Sequence, residues 1–181
     1  MDYIFPLNIH IGKLYLKDMA YEDLPYLIRW YNNTDDFKYA TGVAHPITLE
    51  YLVRSYEKTV ACMHEFFAGI YLKNNCNMIG ILRGNLKNEN KNLVWISQFL
   101  IDKEYQRKGY GSQAIEGVLD YFSIKAGASD AFVAVAEGNA TGKCFWEKIG
   151  FQEIRKHKGH FKDSDEELNI IVMRKKLTIY L

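Results

Sequence analysis

Residues 94–137 constrain this chain more than any other stretch. They run from an apolar segment, VWISQFLID (94–102), through a glycine-bearing loop, DKEYQRKGYGS (102–112), into an amphipathic segment. A second apolar segment, AFVAVAE (131–137), follows. The first run is apolar on both faces, as expected of a strand buried in the middle of a sheet. Ile115, Val118, Leu119 and Phe122 recur at helical spacing, and Gly127 suits the left-handed residue just past a helix end. Strand, helix and strand in this order predict a right-handed crossover between parallel strands.

The flanking chain does not repeat that pattern. A strand is expected around Ile11 to Met19. In YEDLPYLIRWYNN, Leu24, Leu27, Ile28 and Tyr31 define a helix face, with Asp23 as N-cap and Pro25 in the first turn. Thr48 can cap a second helix whose Leu49, Leu52, Val53, Tyr56 and Val60 point inward. EFFAGIYLK and NMIGILRGN read as strands joined by a turn at Asn74-Asn75-Cys76-Asn77, and LKNENKN reads as a polar loop. Asn139 can cap a helix ending at Gly150, and FQEIRKHKGHF and EELNIIVMRKKL close the chain as strands. Mostly antiparallel strands around one β-α-β unit predict an α+β fold. The expected architecture is a single mixed, mostly antiparallel sheet of about seven strands flanked by about four helices. No linker or repeat interrupts the sequence, so one domain over 1–181 is expected.

Composition excludes several classes. A net charge of +1 gives no electrostatic case for nucleic acid. The block Arg155-Lys156-His157-Lys158 is short enough to be a solvated strand face. Cys62, Cys76 and Cys144 are odd in number and lack metal-ligand spacing, which fits a reducing cytosol and no metal. No apolar run approaches the ~20 residues of a membrane span. MDYIFPLNIHIGKL has no secretory signal pattern. The expectation is a cytoplasmic protein, monomeric or homodimeric, with no membrane partner.

The loop itself suggests an anion site. Residues 107–112 lie between the end of a central strand and the start of a helix, where ligands of open α/β sheets bind. Free backbone N–H groups and the helix dipole favour an anion there. Gly109 and Gly111 allow close backbone approach, and Arg107 and Lys108 add charge. GxxxxGK[ST] is absent. Gly109-Tyr110-Gly111-Ser112-Gln113-Ala114 satisfies GxGxxA, but DKEYQRK separates it from the strand and Asp130 precedes its own strand, so a dinucleotide site is rejected.

Gln106-Arg107-Lys108-Gly109-Tyr110-Gly111 resembles the Q/R-x-x-G-x-G/A signature of the GNAT superfamily of N-acetyltransferases. FLID before it resembles that family's L-x-V strand end. Asn139 followed by FWEKIGF (145–151) resembles the N…FYEKxGF segment, and NIIVMRKKL is similar to the last strand. YEDLPYLIRWYNN resembles the opening helix of the branch that includes ribosomal-protein N-terminal and aminoglycoside acetyltransferases. The likeness covers most of the chain in order and is weakest over 34–65.

The resemblance implies the acyl-CoA N-acyltransferase fold and direct acetyl transfer from acetyl-CoA to a primary amine in a ternary complex. It implies that Gln106, Arg107, Lys108, Gly109, Tyr110, Gly111 and Ser112 hold the pyrophosphate. Phe99, Leu100 and Ile101 would pair with the pantetheine amides, with an N–H near Leu100 or Ile101 polarising the thioester. Asn139, Lys143 and Trp146 are implied as further cofactor contacts. Two positions depart from the family pattern. VWISQ carries no glutamate, and Ser97 and Gln98 can orient a water but not take its proton. Glu137, at the end of the next strand, is then the nearest carboxylate on an ordered element to serve as base. Trp146 stands where relatives have a tyrosine acid, which leaves the thiolate to Ser97, another hydroxyl, or alignment alone.

Those departures keep a non-catalytic acyl-CoA-sensing domain open as an alternative. The acceptor stays open among a small polyamine, an aminoglycoside and a peptide N-terminus. The segment that walls the acceptor in the family holds Asp35, Asp36, Glu50 and Glu65 beside Tyr31, Phe37, Tyr39 and Tyr51.

Overall fold

The structure is a computed structural model describing residues 6–88, 92–161 and 167–178. Its strands form one eight-stranded sheet in the order β1-β2-β3-β4-β5-β6-β8-β7. The strands are β1 (Asn8–Ile11), β2 (Leu14–Asp18), β3 (Glu65–Leu72), β4 (Met78–Asn88), β5 (Asn92–Ile101), β6 (Asp130–Ala136), β7 (Gln152–His160) and β8 (Glu167–Lys176). Among the described residues there are five α-helices: α1 (Leu24–Asn32), α2 (Thr34–Thr41), α3 (Leu49–Val60), α4 (Tyr110–Ala126) and α5 (Ala140–Lys148). β5 and β6 are parallel, and every other neighbouring pair is antiparallel. The expected mixed α+β sheet with one crossover is therefore present.

The counts exceed the expectation for local reasons. The strand expected over Ile11 to Met19 is instead a hairpin, turning at Gly12 (φ +50) and Lys13. The extra helix is α2, which Asn33 caps by accepting from the Asp36 N–H and which ends at left-handed Gly42 (φ +71). LKNENKN is only partly a loop. β4 runs to Asn88 and β5 begins at Asn92, while 89–91 lie outside the described residues. Asp23 precedes α1 as expected, but its carboxylate takes the Ala20 N–H and the Tyr71 hydroxyl rather than the helix's own donors. Leu49, at the start of α3, is exposed, and Leu52 carries the packing.

Helices cover both faces of the sheet, so the middle strands alternate between two cores. Phe66 turns toward α4, where Ile115, Val118, Leu119 and Phe122 meet Ile96 and Val133. Its neighbour Phe67 turns the other way, to Leu24, Leu27, Trp30, Phe37 and Leu52 of α1–α3. Leu100 and Ile101 divide between the same two cores. Burying each such side chain contributes about 1.5–3 kcal/mol. β7 is an exposed edge, blunted by charge: Lys156 pairs with Glu137, and Lys158 with Glu167. No helix among the described residues is long and apolar enough to cross a membrane.

Candidate active site

The crossover strands part where the sequence reading placed the ligand. β5 pairs with β6 only over Leu93–Ile96 against Asp130–Val133. On its other side, β5 slips in register against β4. Gly84 faces Ile96 and Arg83 faces Gln98, which leaves Ser97 as the extra residue of a bulge. The Ser97 hydroxyl stitches the bulge by donating to the Arg83 carbonyl at 3.2 Å. Beyond it, 97–101 have lost their parallel partner, and a cleft of about 790 Å³ opens between β5, β6, α2, α5 and the 106–112 loop.

The loop is held open by three devices. Asp102 accepts from the Trp30 indole N–H at 2.7 Å and pairs with Arg29 at 3.2 Å, which ties the loop entry to α1. Gln106 donates to the Ile101 carbonyl at 2.8 Å, closing the turn. Arg107 (φ +59) and Gly109 (φ +82) are both left-handed. For Arg107 that conformation costs about 1–3 kcal/mol. Gly109 is the N-cap of α4 and offers no side-chain cap, which leaves first-turn N–H groups without a capping partner where Gly109, Gly111 and Ser112 line the cleft, as an anion site requires. A Cβ built on Gly109 meets nothing within 4 Å. Gly111, by contrast, is pressed toward α5, its would-be Cβ 3.3 Å from Phe145.

Not every expected residue faces this space. Phe99, Leu100, Ile101, Ser97, Gln106, Arg107, Gly109, Gly111, Ser112, Asn139 and Trp146 line it. Lys108 does not; its ammonium stacks over Tyr105, 5.4 Å from the ring centroid. Tyr110 does not line it either, and Lys143 pairs with Glu153 at 3.1 Å and Glu147 at 3.8 Å instead. Asn139 caps α5, accepting from the Gly142 N–H at 2.9 Å. Trp146 is buried edge-on against Phe99, Phe145 and Phe151, so it packs rather than presenting a proton.

The structure places Glu137, the carboxylate expected as base, away from the cleft, bound by the Lys156 ammonium at 2.7 Å and the Asn169 amide at 2.9 Å. The hydrogen bond from Lys156 holds its carboxyl below the usual carboxylate range. Gln98 is no free water-orienter either. Its buried amide accepts from the Tyr31 hydroxyl at 3.0 Å and donates to the Thr41 carbonyl. Burial pushes the Tyr31 phenol up to about 12.

The wall that sequence reasoning left blurred is α2. It brings Asp36, Phe37, Tyr39 and Ala40 to the cleft, while Asp35, Glu50 and Tyr51 stay off it. Glu65 pairs with Arg83 at 3.2 Å. Asp36 is the sole carboxylate among the described residues lining the cleft. The hydrogen bond from Lys103, at 2.7 Å, holds it below the usual range.

Known proteins share this architecture. A spermidine N-acetyltransferase from Vibrio cholerae, solved with CoA and spermine, superposes with a TM-score of 0.77 at 21% identity over 91% of this chain and 95% of that one. An acetyl transferase from Salmonella typhimurium that modifies the N-terminal serine of the 50S ribosomal protein L7/L12 gives 0.79 at 13% identity, over 92% and 96% of the two chains. A GNAT-family acetyltransferase from Bacillus anthracis gives 0.76 at 18% identity, over 94% and 98%. At these identities the likeness is one of fold. A curated relative, a probable spermine N(1)-acetyltransferase of Bacillus subtilis subsp. natto (strain BEST195), is 29% identical over 65 residues, which is 35% of this chain and 43% of that protein. The family model for the acetyltransferase (GNAT) domain matches residues 16–172, nearly the whole sheet with its cleft. The chain therefore belongs to the GNAT acetyltransferase family.

Proposed function

We propose that the chain is one catalytic domain that transfers acetyl from acetyl-CoA to a primary aliphatic amine, with a polyamine as the acceptor best supported. The observation that carries this reading is the parting of β5 from β6 at the Ser97 bulge, directly above the uncapped start of α4. That juxtaposition fits a long ligand with an anionic end and an amide-bearing arm. The polyamine rests on the spermine and spermidine acetyltransferases to which the chain is similar.

Each group has a part in this reading. Acetyl-CoA would supply an activated acetyl thioester. The first-turn N–H groups of α4, with Arg107, Gly109, Gly111 and Ser112, would hold its pyrophosphate. The unpaired edge of 99–101 would pair with pantetheine, and an N–H at Leu100 or Ile101 would stabilise developing oxyanion charge. Asn139 would steady the arm while capping α5. Trp146 and Phe99 form an apolar floor that excludes water.

Proton handling falls to the solvent. A primary alkylamine is mostly protonated at neutral pH and must be neutral to attack. The carboxylate in the cleft, Asp36, is held ionised by Lys103 and is too weak a base to deprotonate it. The amine then enters through its small neutral fraction, and alignment supplies the acceleration. Thiol release from acetyl-CoA, followed against a panel of polyamines, aminoglycosides and short peptides, tests the reading. CoA binding with no transfer to any amine would favour an acyl-CoA sensor instead.

A further inference from the structure

We propose that Tyr39 and Gly138 form the aperture through which the acceptor reaches the cleft, and that it selects slender, unbranched aminoalkyl chains over amines branched at the α-carbon. The proposal deepens the transferase reading and rests on it. Tyr39 sits on α2, and its ring spans from that helix to the far wall. It packs on Phe161 with ring centroids 6.0 Å apart, and its hydroxyl lies over Gly138 in the turn that follows β6. A Cβ built on Gly138 would stand 2.7 Å from the Tyr39 hydroxyl oxygen and 3.5 Å from the ring carbon bearing it. Gly138 is not among the left-handed glycines, so its missing side chain serves space and not backbone. A side chain at residue 138 would force the Tyr39 hydroxyl to move.

The bridge is firmly mounted. One end of α2 is tied to the cofactor loop by Asp36 and Lys103 at 2.7 Å. The other end is tied to β5 by the Gln98 amide on the Thr41 carbonyl. These two contacts anchor the helix that carries Tyr39. The Lys38 ammonium already lies over the Tyr39 ring, 5.2 Å from its centroid, so the ring acts as a steric bar and not as a receptor for a substrate cation. Tyr39 and Gly138 both line the cleft, which turns an open groove into a passage roofed by the ring. A terminal aminoalkyl group presents only methylenes to such a passage. A peptide N-terminus presents a carbonyl and a side chain on the carbon beside its nitrogen. One misplaced carbon in a close-fitting site changes discrimination by about 10–200-fold.

The test is the ratio of kcat/KM for spermidine to that for an α-branched amine such as alanine amide, measured by thiol release. Tyr39→Ala should lower this ratio by about tenfold or more. Tyr39→Phe should leave it within about twofold, because the ring and not the proton is the bar. Gly138→Ala should shift the ratio in the wild-type background and leave it unchanged in Tyr39→Ala, since the two residues act as one pair. CoA affinity by calorimetry should be the same in wild type and Tyr39→Ala. An active Tyr39→Ala with the wild-type ratio overturns the aperture alone. A wild type that binds CoA and acetylates neither amine overturns the transferase reading, and the aperture with it.

Discussion

The Tyr31 hydroxyl donates to the Gln98 side-chain oxygen at 3.0 Å in the buried seam between α1 and β5. The other end of the same amide holds the Thr41 carbonyl at the end of α2. One side chain thus fixes α2 to the strand that bounds the cleft.

Gln98→Leu should be costly for that reason. It strands a buried hydroxyl and a backbone carbonyl, each worth about 1–3 kcal/mol when left unpaired. Thermal melting should fall by several degrees. KM for the amine should rise more than the Kd for CoA, because the proposed function gives α2 the acceptor side of the cleft. Equal losses in both would contradict this division of labour.

Arg107→Gly should separate stability from binding. Residue 107 is left-handed, so glycine relieves strain and should leave the fold as stable or about 1 kcal/mol more so. CoA binding should nonetheless weaken, through loss of the guanidinium. Gly109→Val should weaken binding further, placing a branched side chain where backbone now meets open cleft. Lys108→Ala should matter least, since Lys108 lies on Tyr105 outside the cleft. Calorimetric titration with CoA ranks the three.

Asp18 offers a pH test of stability. Burial raises its carboxyl from 3.8 to about 6, and one of its oxygens has no hydrogen-bond partner. The folded state therefore holds the proton more tightly than the unfolded one. Stability from this group falls as pH rises from about 4 through about 6. Asp18→Asn should raise stability at pH 7.5 by about 1 kcal/mol, the full shift being discounted for partial exposure. Below about pH 4 the variant and wild type should melt alike. A gap that persists there would contradict the assignment.

The pH dependence of catalysis should follow the substrate. Glu137 is outside the cleft and Asp36 stays ionised, so kcat/KM should rise with pH toward the pKa of the amine. A polyamine-like acceptor should still be climbing at about pH 9, whereas an α-amine should level near about 8. One shared break for both acceptors would reveal a protein base.

The β-α-β unit and its loop were legible in the sequence because their signals are local. Apolar runs, helical spacing and glycine placement all lie within residues 94–137. The α2 helix was not, since TDDFKYAT buries only Phe37 and Thr41 and its order comes from Gln98 and Lys103, far along the chain. The surroundings of Glu137 were illegible for the same reason. Its partners Lys156 and Asn169 follow 19 and 32 residues later, and only the pairing of β6, β8 and β7 brings them together. Trp146 stands out in the sequence, and its packing partners Phe99 and Phe151 became visible only in three dimensions.

The most direct measurement is a single incubation of the protein with acetyl-CoA and spermidine, following free thiol and the mass of the amine together. One thiol released for each acetyl gained by spermidine, saturating in both substrates, is the expected result. No thiol above the uncatalysed rate and no gain in the mass of spermidine would contradict the proposed function at its root.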